Sequence, residues 1–225
     1  MEMNKFIFKF AIIFLLASCS NTPELETGEI KTLQMLKSAI NQSRKPKTFI
    51  DARKLLSREE IDAANIPVLF VELESGQNGT LTPYPGQGVG QTWIGADGAT
   101  VTLEQGILNA TRGMGDDLMG SRSLMPPWSK IGITVTQYHR RASFITGGNK
   151  IFERTFKCNI KKYDQKETIK IWGLNYQATK FEENCNHKDF KISNTYYLDN
   201  KEIVRKSLQF HGDTIGYIFT ERLDR

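Results

Sequence analysis

The sequence of 225 residues lacks most of the motifs that identify an enzyme or a nucleic-acid-binding protein. No G-x-S-x-G motif is present and the three histidines form no triad pattern, which disfavours a serine hydrolase. There is no arginine-rich run and no recognised nucleic-acid module, so we expect no nucleic-acid partner. The apolar run at residues 10–17 has eight residues, whereas a membrane-spanning helix needs roughly 20. We therefore expect no transmembrane anchor.

The N-terminus carries the clearest positive signal. Lys5 and Lys9 precede the apolar run, which ends in Leu16-Ala17-Ser18-Cys19. An aliphatic residue, two small residues and a cysteine form a lipobox, which fits better here than an ordinary A-x-A-like cleavage site. We expect a signal peptide at 1–18, lipid attachment (palmitate) at Cys19 and a tether over 19–28. Ser20 follows the cysteine in place of aspartate, which favours the outer membrane, with the protein facing the periplasm.

Cysteine is scarce, with three residues in the chain. If lipid occupies Cys19, Cys158 and Cys185 remain as an even pair in an oxidising compartment, which predicts a disulfide. The alternative is a metal site that uses Cys185 and His187, but a four-ligand zinc site needs a second closely spaced pair. We expect no metal and no cofactor.

The net charge of the chain excludes few classes of ligand. Removal of residues 1–18 leaves 207 residues, enough for one domain with a substantial core. The formal charge falls from +5 to +4 because Lys5 and Lys9 leave together with Glu2. Such a balance suits an acidic glycan or anionic lipid head groups, but it is ordinary for a protein of this size.

The first part of the domain is expected to contain one or two short helices. Residues 29–41 show apolar residues at helical spacing, with Thr27 as the N-cap. Ser57-Arg58-Glu59-Glu60 has the form of a capping box, so a short helix begins there and ends before Pro67. A strand is expected over 68–74.

The rest of the chain has the pattern of a β-protein. Asp97-Gly98 separates two alternating runs and predicts a hairpin. Further strands are expected at 131–145, 150–162, 168–172, 177–185, 191–198, 201–210 and 216–223, with turns at 146–149, 199–200 and 211–213. Short strands with regular turns indicate antiparallel meanders. The predicted fold is mostly β, a single antiparallel barrel-like or sandwich domain over 29–225.

The densest group of chemically active residues is Asn109 to Ser121. It contains Arg112, Asp116 and Asp117, and two carboxylates could supply an acid and a base for glycoside cleavage, with Glu104 as a further candidate. Adjacent strand residues point to opposite faces, however, so we expect Asp116 and Asp117 to be turn residues, one of them paired with Arg112.

Two other groups give weaker signals for a ligand site. Residues 86–90 superficially resemble a phosphate-binding loop but lie outside any βαβ unit. The three tryptophans could stack on sugar rings, although burial in a core is the commoner role of tryptophan. They are Trp93, Trp128 and Trp172.

Several of these segments together resemble the YjbF-type, or group 4 capsule, lipoproteins. The resemblance rests on the lipobox, residues 57–61, residues 91–93, the run 109–119 and the late cysteine pair. It covers nearly the whole mature chain, is most specific between Asn109 and Gly120, and is looser after Gln165. It implies a mostly-β barrel-like lipoprotein of exopolysaccharide or capsule production, with an outer-membrane β-barrel protein and periplasmic secretion proteins as partners. It transfers no catalytic residue, and Cys19 is the one functional residue it implies.

The leading hypothesis is a non-enzymatic lipoprotein that binds acidic or neutral polysaccharide or docks an export partner. Trp93, Arg112, Asp116 and Asp117 are its candidate contact residues. One alternative is a glycan-modifying enzyme that uses Asp116, Asp117 or Glu104. Another is a structural factor that helps to assemble a β-barrel partner in the outer membrane.

Overall fold

Twelve antiparallel strands in one sheet dominate the structure. The computed structural model describes residues 51–225 except 87–89, 146, 147 and 149. The signal peptide, Cys19, the tether and the helix predicted at 29–41 lie outside the described residues, as do most of the glycine-rich loop at 86–90 and of the turn at 146–149. The strands are β1 Leu69–Leu73, β2 Asn78–Pro83, β3 Gln91–Gly95, β4 Thr100–Glu104, β5 Ile107–Arg112, β6 Leu118–Ser123, β7 Thr136–Ile145, β8 Ile151–Ile171, β9 Leu174–His187, β10 Phe190–Leu198, β11 Val204–Gly212 and β12 Gly216–Arg222.

The strand order is β5-β4-β3-β2-β1-β12-β11-β10-β9-β8-β7-β6. The sheet therefore consists of two meanders, β1–β5 and β6–β12, in which each strand pairs with the next strand along the chain. The pairing of β1 with β12, from Leu69↔Arg222 to Leu73↔Ile218, joins the two meanders. The sheet curls so that its outer strands β5 and β6 approach each other, which gives a nearly closed barrel. This confirms the predicted mostly-β antiparallel fold and selects the barrel over the sandwich.

Two short helices precede the sheet. Helix α1 spans Ala52–Leu55 and helix α2 spans Arg58–Ala64. The predicted capping box is present at α2, where the Ser57 hydroxyl accepts from the Glu60 amide and the Glu60 carboxylate accepts from the Ser57 amide. Asn65 ends α2 in the left-handed conformation, two residues before Pro67. Neither of these helices is long and apolar enough to cross a membrane.

Alternation along the strands produces two cores. The inner core fills the barrel with residues from nearly every strand, among them Leu69, Trp93, Phe156 and Tyr196. A smaller core lies on the outer side, where α1 and α2 pack on β1 and on the protruding end of the β8–β9 hairpin. Its buried members are Ala52, Ile61, Val68, Phe70, Ile169, Ile171, Ala178 and Leu223.

The β4–β5 turn shows how tightly the meanders pack. Gln105 and Gly106 both have positive φ, +52° and +84°, as in a two-residue type I′ turn. A Cβ at Gly106 would collide with the Val204 side chain at the start of β11. Glycine is therefore required here both by the conformation and by the close approach of another strand.

Several predicted strand boundaries are wrong. The strand at 201–210 begins at Val204, and the strand at 177–185 begins at Leu174. The strands at 150–162 and 168–172 are one strand, β8. Its pairing with β9 shifts register between Lys162 and Lys166 and then continues, so the polar segment does not end the strand. The strand at 131–145 begins at Thr136, because Ile131 ends a 3₁₀ helix that starts at Trp128. His211 and Gly212 belong to β11, where Gly212 pairs with Gly216, so the final turn starts after them.

Candidate functional site

Residues 109–121, singled out in the sequence, form the seam at which the two edges of the sheet meet. Within the described part of the chain, β5 and β6 share no backbone ladder. Side chains bridge them. The Asn109 amide donates to the Ser121 carbonyl at 2.9 Å, and the Arg112 guanidinium donates to the carbonyls of Leu118 and Met119, both at 3.1 Å. Because unpaired edge carbonyls need donors, these side chains replace ladder hydrogen bonds.

Asp117 organises the turn between β5 and β6. One carboxylate oxygen accepts from the Gly113 amide at 2.9 Å, and the other accepts from the Met114 amide and the Thr111 hydroxyl, both at 3.1 Å. Asp117 is thus a turn residue, as predicted. Arg112 bonds main-chain carbonyls and not an aspartate, contrary to the prediction, because the open edge of β6 provides acceptors within its reach.

A buried histidine lies behind this turn. His211 Nε2 is 2.8 Å from Thr111 Oγ, and each residue is 1% exposed. Burial lowers the pKa of His211 to about 4, against the opposing attraction of the Asp117 and Asp116 carboxylates. The imidazole is therefore neutral at pH 7. In the Nε2–H tautomer it donates to Thr111, which in turn donates to Asp117.

The carboxylates of this segment are each engaged in hydrogen bonds within the protein. Asp116 accepts from the Thr214 hydroxyl at 2.5 Å, whereas Asp117 is occupied by the turn. Glu104 receives the Asn109 amide at 3.3 Å. Thr111, which lies between an acid and a base, is buried and cannot meet a substrate as a nucleophile. The hydrogen bonds of this segment hold the seam together.

Trp93, the fourth candidate contact, lies on the other face of the sheet from Arg112. Trp93 is 1% exposed. It pairs with Val101 on β4, which pairs with Thr111 on β5, so all three side chains lie on the inner face. Arg112 follows Thr111 in the strand and is exposed on the outer face. Arg112, Asp116 and Asp117 thus come together at the seam, and Trp93 does not join them. Trp128 is likewise buried, and its ring packs edge-on against two aromatic rings of the inner core.

A cavity of about 250 Å³ opens beside Trp93, at the end of the barrel away from the seam turn. The Arg222 guanidinium lies 4.8 Å from the centre of the Trp93 ring and forms one wall, with Gln91, Gln105 and Glu202 as further polar lining residues. The buried Trp93 Nε1 has no hydrogen-bond partner in the residues that the structure describes.

The structure also contains an ion pair inside the barrel that was not predicted from the sequence. Arg140 and Glu183 are 4% and 0% exposed and lie 3.0 Å apart. The Glu183 carboxylate also accepts from Tyr138, from Tyr196 at 2.7 Å and from Asn194 at 2.8 Å. Burial, followed by the nearby Glu183 carboxylate, raises the pKa of both tyrosines, so they remain donors. The alternation that placed Cys185 inside also places Glu183 inside, and that was the available signal.

Cys158 and Cys185 form a disulfide, as the sequence predicts. They stand directly opposite each other on β8 and β9, and both are buried. Because the sulfurs are bonded to each other, neither offers a thiolate to a metal. Glu183, the third group nearby, is the partner of Arg140, and His187 Nδ1 lies 2.9 Å from the Thr155 carbonyl.

Three comparisons with known proteins bear on this architecture. The family model described as group 4 capsule polysaccharide lipoprotein GfcB, YjbF matches residues 33–223. The crystal structure of the hypothetical lipoprotein YmcC from Escherichia coli (K12) is similar, with a TM-score of 0.67 and 16% identity over 92% of this chain and 98% of that one. At that identity the likeness shows a shared fold. Among curated proteins no match was found.

Proposed function

Because this chain belongs to the YjbF family of group 4 capsule polysaccharide lipoproteins, we propose that it acts in the production or secretion of capsule or exopolysaccharide, from a lipid anchor on the outer membrane. The observation that carries the proposal is the family match over residues 33–223. The lipobox that ends in Cys19 supports the anchor. Cys19 carries the lipid and the barrel faces the periplasm.

The protein works by binding polysaccharide or by docking other proteins of the secretion machinery. The family is described as one of lipoproteins and not as one of enzymes. The geometry of the seam supports the same assignment, since the bonds of Asp117 hold the β5–β6 turn and Thr111 is buried. An outer-membrane β-barrel protein and periplasmic secretion proteins are the partners we propose.

A complementation experiment tests the proposal. A strain that lacks the gene should lose surface polysaccharide, and the wild-type chain should restore it. Cys19→Ala should abolish labelling with palmitate, release the protein from the membrane and fail to restore the polysaccharide. Ser20→Ala, which alters the next residue but keeps the acylated cysteine, is the matched control and should restore it. A deletion strain with unchanged amount and length of polysaccharide would contradict the proposed function.

The same strains separate binding from catalysis. If the protein were a glycan-modifying enzyme, Asp116→Asn would leave the fold intact and change the length or composition of the polymer. We expect polymer of wild-type length and composition from this variant, because the Asp116 carboxylate bonds the Thr214 hydroxyl next to the seam.

A further inference from the structure

The outer face of strands β7–β10 carries a row of basic and amide side chains that the seam and the cavity do not use. His139, Lys157, Asn186 and Lys191 stand opposite one another on four neighbouring strands. All four are exposed, and they alternate along their strands with inward residues such as Cys158. Since neighbouring strands lie about 4.8 Å apart, the row extends for about 14 Å across the sheet.

A second row adds two arginines. Arg122 on β6 lies directly opposite Arg141 on β7, and Arg141 lies opposite Thr155 on β8. Like charges in directly opposite positions repel each other. In the part of the chain that the structure describes, none of Arg122, Arg141, Lys157 and Lys191 forms an ion pair within 4.0 Å. The fold therefore presents these cations to solvent without partners.

A third row adds neutral hydrogen-bonding groups. Gln137, Asn159, Asn184 and Ser193 stand opposite one another on β7 to β10. We call the three rows together the outer basic face. Of its eleven side chains none is a carboxylate, and none is aromatic other than the imidazole of His139.

Carboxylates appear only where the outer basic face ends. In the next row on one side Glu153 lies opposite Ser143, and in the next row on the other side Glu182 lies opposite Lys161. Glu153 and Glu182 thus border the outer basic face on two sides.

We propose that the outer basic face binds a carboxylate-bearing polysaccharide, an inference that rests on the proposed function and names its ligand class. Unpartnered cations match the carboxylates of an acidic polymer, and the amides between them match its hydroxyls. The rows run across five neighbouring strands, which suits an extended chain of repeating units. None of its eleven side chains is a large apolar group that could insert into a bilayer or a Phe, Tyr or Trp that could stack on bases, which favours a glycan over anionic lipid or nucleic acid. Tyr217, whose hydroxyl accepts from the Ser193 amide at 3.1 Å, borders the third row.

The test uses the full acylated chain in neutral detergent with polygalacturonate as the probe. Arg141→Gln combined with Lys157→Gln removes two charges from the outer basic face. Lys170→Gln combined with Lys201→Gln removes two exposed charges elsewhere and is the matched control. Wild type should bind polygalacturonate saturably, less tightly as salt is raised, and should not bind neutral dextran. The face variant should bind about fivefold more weakly, and the control within about twofold of wild type.

Three results would overturn the inference. The first is that wild type does not bind polygalacturonate saturably. The second is that both double variants lose the same amount of affinity for polygalacturonate. The third is that wild type binds only phosphatidylglycerol vesicles and that the face variant alone loses this binding. The last would assign the face to a membrane surface. The deletion strain is read separately. If polysaccharide is lost on deletion but the face variant binds normally, the proposed function stands and the ligand face is wrong.

Discussion

Replacement of Glu183 by glutamine should destabilise the barrel by about 3–5 kcal/mol, the usual cost of removing one partner from a buried ion pair. Arg140 would keep its charge while 4% exposed, without a counterion. The geometry adds a second cost. Arg140 and Tyr138 approach one carboxylate oxygen, and Tyr196 and Asn194 approach the other. Whichever position the glutamine NH₂ takes, it faces two donors.

Thermal unfolding with the disulfide intact measures this effect. For a domain of this size the loss corresponds to a fall in Tm of about 6–20 °C. Glu182→Gln is the control, because Glu182 is the neighbouring acid on the half-exposed face and pairs with Lys180 at 3.4 Å, so it should cost at most about 1 kcal/mol. Equal melting of Glu183→Gln and Glu182→Gln would refute the reasoning.

Other predictions concern the seam, the cap and the disulfide. Histidine in the unfolded chain takes up a proton below about pH 6.5, whereas buried His211 does so only near pH 4. The free energy of unfolding should therefore decrease by about 3 kcal/mol as the pH is lowered from 6.5 to 4, and His211→Gln should flatten this dependence in urea titrations. Arg112→Met should cost about 1–3 kcal/mol by leaving edge carbonyls without donors, and a neutral result in denaturant unfolding would contradict the seam. Ser57→Ala should cost about 1 kcal/mol in the same assay. Cys158→Ala with Cys185→Ala should cost about 3–4 kcal/mol for a bridge across 27 residues, and a thiol assay on denatured, unreduced protein should find neither cysteine free.

Local patterns in the sequence predicted much of the fold. Asp97-Gly98 places its hairpin between β3 and β4, and the capping box places the start of α2, because turn chemistry and capping depend on residues within a few positions. The prediction of two strands in place of β8 is wrong because it also rests on local composition alone. Tyr163 to Gln165 have the composition of a break, but the ladder to β9 resumes beyond them, and that pairing is not a local property.

In the candidate site, too, local features were predictable from the sequence and long-range contacts were not. The run from Asn109 to Ser121 was conspicuous in the sequence, yet its role as a seam depends on the curl of the sheet that brings β5 to β6. Arg140 and Glu183 lie on strands β7 and β9, which are not adjacent, so no local pattern pairs them. The rows of the outer basic face likewise require the register of five strands.

The pairing of β1 with β12 sets the order in which the chain can complete its fold. Each meander forms from hairpins between successive strands, so it can assemble before the whole chain is available. The junction between the meanders joins the first strand of the sheet to the last, and such long-range closure is entropically slow. Until β12 arrives, the edge of β1 stays open to pairing with other chains. We expect the interval before that closure to be when the newly made protein most needs chaperones and is most exposed to proteases.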